Sequence, residues 1–327
     1  VKDLRAIEQL EGLMQLSLDL SGAQLSDLQM LAQLRNLQSK LFLEVSQVSD
    51  LKPLEQLGGL THLSLSPSYD QMRDLKPIEQ LKGLTHLSLS LSFNQVSNLK
   101  SLEELKGLTQ LSLVLSESQV SDLLPLVHLH RLTQLTLDLN SSRASDLKPL
   151  EQLKSLKQLT LSLGGSQVKD LRPLEQLKGL THLSLDLSGS PINTLKPLEQ
   201  LKGLTQLPLN IRDSEVGELQ VLAQLNGLTQ LTLDLSGTQL SDMQLLALLK
   251  RLPLKLFLGI SLVSDLNPLE QLSGLTELSL DLSDSKVSNL EAIRKLTNLR
   301  TLSIYNATRA QRMSLQTIPA GLVELKF

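Results

Sequence analysis

The sequence contains no cysteine and no tryptophan, and only two tyrosines and four phenylalanines among 327 residues. Without cysteine there is no thiol nucleophile, no cysteine-ligated zinc and no disulfide cap. With so few aromatic rings, other side chains must build the core, and the large anchors that dominate many interfaces are rare. No apolar run reaches the roughly 18 residues that a membrane-spanning helix requires. Neither sign of charge prevails: the formal net charge is -3 and the pI is about 6.0. Nothing therefore draws the whole chain toward nucleic acid or an anionic bilayer. No glycine-rich phosphate loop, paired-carboxylate pocket or metal-ligand motif occurs. The expectation is a chain without catalytic residues, cofactor or metal.

What the sequence has in abundance is leucine at fixed intervals. In the stretch from Asp170 to Asn193, Leu171, Leu174, Leu177 and Leu180 recur every third residue. Leu183, Leu185 and Leu187 then recur every second. The first spacing predicts a tight helical turn with one buried edge. The second predicts a strand with one buried face. Lys178-Gly179 between them reads as a turn, with Gly179 free to take positive φ. Such a unit cannot fold alone. Ordering its backbone costs roughly 1–2 kcal/mol per residue, and each buried leucine returns only about 1.5–3 kcal/mol. Its strand also lacks a hydrogen-bond partner. Stacked copies solve both problems by pairing strands and sharing one leucine core.

Unit starts fall at Asp3, Asp27, Asp50, Asp74, Asn98, Asp122, Asp146, Asp170, Thr194, Glu218, Asp242, Asp265 and Asn289, most of them 24 residues apart. The steps from Asp27 to Asp50 and from Asp242 to Asp265 are 23. Those two units share the motif KLFL, at Lys40–Leu43 and Lys255–Leu258, which points to block duplication and to irregular loop edges at both places. The repeat covers the chain as one domain, residues 1–327, with an irregular end over 305–327. There, Ile318 to Phe327 is expected to add a last strand, with Leu322, Leu325 and Phe327 inward. Val1–Arg5 matches Val168–Arg172 letter for letter, so the chain opens in mid-repeat and is expected to be a piece of a longer protein.

The pattern resembles the leucine-rich repeat family, in its short bacterial class typified by internalins. Leu180-x-x-Leu183-x-Leu185 is similar to that family's LxxLxL strand, and Ile192-x-x-Leu195-x-Pro197-Leu198-x-x-Leu201 to its convex side. The resemblance implies an α/β solenoid: a curved array with a parallel sheet on the concave face and short 3₁₀ or helical turns on the convex face. It also implies a module that binds protein and carries no enzyme chemistry. Where the family has an asparagine ladder, this chain has mostly serine: Asn94, Ser118, Ser142, Ser166, Ser190, Ser214 and Ser285. A hydroxyl both donates and accepts, so a serine ladder doing the asparagine's work with a shorter reach is expected.

Residues between the inward leucines face the concave side. One column runs through Ser17, Phe42, Ser64, Ser88 and onward to Thr232, Phe257 and Ser279; the next carries Asp138, Asp186 and Asp234. The bland reading of these acids is a solvated face, and the functional one a docking surface for basic or donor groups. His62 and His86 share a column just before the strands, too few for a metal without a third ligand. His182, Ser184 and Asp186 suggest a triad, but alternate strand residues lie about 6.6 Å apart and a triad needs contacts of about 2.6–3.2 Å. Tyr69 and Phe93 occupy one loop position in adjacent units. With Phe42, they form the candidate binding patch, set against a bland reading of loop packing. The expected partner is a protein, with no nucleic acid and no membrane insertion, and the expected state is a monomer. A cytoplasmic setting is favoured, a secreted one requiring a signal peptide in the parent. A cell-surface adhesin, or the targeting part of an effector enzyme or nucleotide-switched immune protein, are the alternatives.

Overall fold

Alternation of leucine with small polar residues produces a strand in repeat after repeat, because one face of the pleat can be buried while the other meets water. The computed structural model describes residues 15–20, 40–45, 51–66, 74–217, 219–237, 249–250, 252, 254–259, 265–283, 285–315, 319 and 321–326. The chain divides into two units, Val1–Gly179 and Leu180–Phe327. The first holds β1 (Gln15–Leu20), β2 (Lys40–Val45), β3 (His62–Leu65), β4 (His86–Ser90), β5 (Gln110–Val114), β6 (Gln134–Asp138) and β7 (Gln158–Ser162). Each pairs in parallel with the next. The second holds β8 (His182–Asp186), β9 (Gln206–Asn210), β10 (Gln230–Asp234), β11 (Leu254–Gly259), β12 (Leu275–Asp281), β13 (Thr301–Tyr305) and β14 (Glu324–Lys326), paired in the same way.

The every-third spacing gives 3₁₀ turns, such as Arg172–Gln176 and Lys148–Gln152. Leu174 N–H donates to Leu171 O at 2.9 Å and Leu177 N–H to Leu174 O at 3.0 Å, while Leu171, Leu174 and Leu177 are all buried. The first residue of the unit has a definite task. Asp170 Oδ1 accepts from Arg172 N–H at 2.8 Å, and Asp74, Asp122, Asp146, Asp265, Asn98, Asn289 and Thr194 do the same in their units. These side chains satisfy an N–H that the short turn leaves over.

Three expectations need correction. Gly179 does not adopt positive φ. A Cβ at Gly227 would lie 2.9 Å from Leu204 O of the preceding repeat, so close stacking favours glycine there, whereas at Gly179 the nearest backbone atom, Leu156 O, would be at an ordinary 3.4 Å. Positive φ falls instead in the loop after the strand, at Phe93, Glu117, Ser141, Gly165, Gly189, Asp213 and Gly237. There the next N–H closes a turn, as in Ser142 N–H to Leu139 O at 3.0 Å. Positive φ at the third residue alone is the signature of a type II turn.

Among the described residues, the serine column shows no bond that ties one repeat to the next. Ser118, Ser166 and Ser214 are buried, and each hydroxyl accepts from the N–H two residues on at 3.4–3.5 Å. The Oγ atoms of Ser142 and Ser190 are buried with no partner. The side-chain link that recurs from repeat to repeat is threonine. Thr85, Thr109, Thr133, Thr205 and Thr229 each donate Oγ1–H to the carbonyl 24 residues earlier, at 3.0–3.1 Å.

The third correction concerns β11. Phe257 pairs with Ser279 as expected, but on its other side it faces Asp234 rather than Thr232. The register toward β12 shifts between Leu254 and Lys255, so the irregularity of this 23-residue unit lies within the sheet. The loops 46–50 and 260–264 lie outside the described residues. At the end of the chain, β14 does form and pairs Leu325 with Leu302, yet Leu325 is 36% and Val323 79% exposed. Before it comes α1 (Arg309–Ser314), where Thr308 Oγ1 accepts from Gln311 N–H and the Gln311 side chain accepts from Thr308 N–H. That reciprocal pair is a capping box.

Candidate functional site on the open face and loop rim of the first unit

The unburied face of β3 to β6 carries a shallow groove of about 250 Å³, lined by His62, Ser64, His86, Ser88, Gln110, Ser112, Gln134 and Thr136. Small hydroxyl side chains form its floor because the column between inward leucines is serine or threonine. His62 and His86 are register partners on β3 and β4. Their rings stack with centroids 3.9 Å apart and planes 10° from parallel. Thr61 and Thr85 place Oγ1 2.8 Å from Nδ1 of the following histidine. Thr85 Oγ1 already donates its single proton to Thr61 O. Thr85 Oγ1 thus bridges the His86 ring and the backbone of the preceding repeat.

Phe93 lies three residues past the end of β4. It is 46% exposed and has φ 55°. A bulky side chain in the left-handed region is an outlier, costing about 1–2 kcal/mol relative to ordinary backbone. Backbone bonds hold the turn regardless: Phe93 N–H donates to Ser116 O at 3.3 Å and Asn94 N–H to Leu91 O at 3.2 Å. Phe93 does not enter the groove. His86 begins β4 and Phe93 follows its last residue, Ser90, in the turn closed by Asn94 N–H, so groove and ring lie toward opposite ends of one face. Phe42 pairs through its backbone with Ser17 and Ser64, which puts it in the open-face column expected of it. Tyr69 lies outside the described residues.

The three acids of the second column are half-buried and serve the turns. Asp138 Oδ1 accepts from Asn140 N–H, Asp186 from Ser188 N–H and Asp234 from Ser236 N–H, each at 2.9 Å. The same task falls to Asp281, whose carboxylate accepts from Asn306 Nδ2 and from the Ser283 hydroxyl and N–H. Those bonds, Asn306 foremost, hold its pKa below the usual carboxylate range. His182 Nδ1 is bonded to Thr181 Oγ1, so neither it nor Asp186 is arranged for a triad with Ser184. Among the described residues no three histidine, aspartate or glutamate side chains gather in a metal-holding group.

The second unit adds two open-face aromatics that the sequence placed in these columns but outside the candidate patch. Tyr305 is 49% exposed beside Asp281, and Phe257 is half-buried beside Asp234. Lys255 and Glu277 pair across β11 and β12 at 2.8 Å.

No family model matches the chain, and no curated protein does. Solved structures do. The chain is similar to an internalin, InlF, of Listeria monocytogenes, at 26% identity and a TM-score of 0.69, over 95% of this chain and 86% of that one. It is similar to a leucine-rich repeat protein of Leptospira interrogans at 26% identity and a TM-score of 0.67, over 100% and 87%. The functional domain of InlJ from Listeria monocytogenes, described as including a cysteine ladder, shares the fold at 20% identity and a TM-score of 0.57, over 95% and 62%.

Proposed function

We propose that this chain, a leucine-rich repeat protein of the internalin-like class, is a non-catalytic module that recognises a protein partner through the open face and loop rim of its first unit. The observation that carries the reading is Phe93. A large apolar ring stands half in solvent at a positive-φ backbone position that other repeats fill with glycine, at Gly165, Gly189 and Gly237, or with a polar residue, at Glu117, Ser141 and Asp213. A bulky apolar side chain kept in that strained region points from structure toward function. The groove at His62 and His86 supplies polar contacts at the other end of β4, about 13 Å of strand away, within the span of an ordinary interface, which buries about 800 Å² per partner. Repeat register in the sequence assigns Phe42 and Tyr69 to the same patch. The acids Asp138, Asp186 and Asp234 take a secondary place, since turn closure accounts for them. The likeness to internalins supports a binding or adhesive module rather than an enzyme.

The test is calorimetric titration of an affinity-isolated partner against the wild-type chain and a Tyr69→Ser, Phe93→Ser double variant. A loss of at least about 2 kcal/mol in binding, with thermal unfolding nearly unchanged, supports the site. Unchanged affinity removes it.

A further inference from the structure

The repeat that begins at Asp122 breaks the surface pattern on the turn side of the first unit. In its 3₁₀ turn, Leu124–His128, Leu124 is 57% exposed. All twelve other units carry a polar or charged residue in that column, among them Lys100, Lys148 and Arg172. Three residues on, Val127 replaces a glutamate found at Glu103, Glu151 and Glu175. A single exposed leucine needs no explanation. The loss of both charges of one unit, with an apolar residue in each place, does. Residues three apart eclipse on a 3₁₀ turn, so Leu124 and Val127 share one edge, flanked by the equivalent edges Lys100/Glu103 and Lys148/Glu151. Among the described residues, none of these four charged groups forms an ion pair within the chain.

We propose that this turn face pairs with the same face of a second copy of the chain, centred on Leu124. The charge pattern is self-complementary. Consider a two-fold axis lying in the contact plane, running across the repeats between the lysine column and the glutamate column. It sets each repeat against the same repeat of the other copy with the two columns exchanged. Leu124 then meets Val127 of the second copy, Lys100 meets its Glu103, and Lys148 meets its Glu151. An isologous interface requires this reciprocity. The charges give register and orientation, and the apolar centre gives the desolvated contact that the charged edges of the flanking repeats lack. This departs from the monomer expected from the sequence, and it leaves the open sheet face free.

Sedimentation equilibrium of the full chain, up to ~1 mM, tests it. The wild type is expected to show reversible monomer–dimer exchange. Leu124→Lys, which restores the residue common in that column, is expected to be monomeric with unchanged circular dichroism. The pair Lys100→Glu with Lys148→Glu, and the pair Glu103→Lys with Glu151→Lys, are each expected to be monomeric alone and to dimerise when mixed one to one. A wild type that stays monomeric at every concentration overturns the proposal. So does a dimer that survives Leu124→Lys, or a mixture that fails to associate.

Discussion

Replacing Phe93 with glycine separates backbone strain from side-chain contact. Relief of the left-handed conformation is worth about 1–2 kcal/mol. Against it stand glycine's greater freedom in the unfolded chain, about 0.5–1 kcal/mol, and the lost burial of a ring that is 46% exposed. Half of a full phenylalanine burial is roughly 1 kcal/mol. The sum lies within about 0.5 kcal/mol of zero, whereas a half-buried phenylalanine at ordinary φ would cost roughly 2 kcal/mol to replace by glycine. Glu117→Gly, at the same backbone position with φ 54°, is the control. It loses no apolar burial and should gain about 0.5–1 kcal/mol. Repeat arrays unfold locally, so hydrogen exchange of the β4 and β5 amides is the proper readout, alongside titration with the partner. The expected pattern for Phe93→Gly is near-neutral local stability with at least ~30-fold weaker binding. A local loss above about 2 kcal/mol with unchanged affinity would show that the ring anchors its loop, and the argument from strain would fail.

Leu185, buried at 1% exposure, should cost about 2–5 kcal/mol when replaced by alanine; a chemical denaturation cost under about 0.5 kcal/mol would contradict the inward register of β8. Asp234→Ala should lose about 1 kcal/mol of local stability through the lost turn bond and leave partner affinity alone, which titration of a chain kept at low temperature will check. Ser142→Ala should be neutral or stabilising by up to ~1 kcal/mol, because it removes a buried hydroxyl without a partner; clear destabilisation would mean that the hydroxyl is satisfied in solution. Asp281 has its pKa depressed by Asn306 and Ser283, so its contribution is present above the unfolded value of about 3.9 and is lost as pH falls through the folded value. The stability advantage of wild type over Asp281→Asn should therefore shrink from about pH 5 to pH 3, and urea titrations showing a constant difference would refute the assignment.

The strands and turns were legible because leucine spacing alone specifies them: period three for Leu171 to Leu180, period two for Leu183 to Leu187. The repeat-opening acids, the Asp-x-Ser turns and the Thr308/Gln311 capping box were also written in the sequence, though their spacing attracted no reading as hydrogen-bond devices. Other features depend on contacts between repeats and could not be read from one unit. The threonine ladder needs the carbonyl of the previous repeat in place. The close approach behind Gly227 needs the stacking distance. The two-residue offset of β11 against β10 arises from how a 23-residue unit is accommodated, and identical KLFL motifs do not determine it: Lys40 faces Gln15, while Lys255 faces Thr232 rather than Gln230. For the candidate site, adjacency of His62 and His86 followed from register, but ring stacking and the positive φ of Phe93 did not.

The central claim is that the open face and rim of the first unit hold a protein partner. Hydroxyl-radical footprinting of the chain with and without that partner tests it most directly, because histidine and phenylalanine are both readily modified. The account expects strong protection of His62, His86 and Phe93 together, with Leu124 on the turn side unchanged by the partner. Protection confined to the turn side, with those three residues as reactive in the complex as in the free chain, would contradict it.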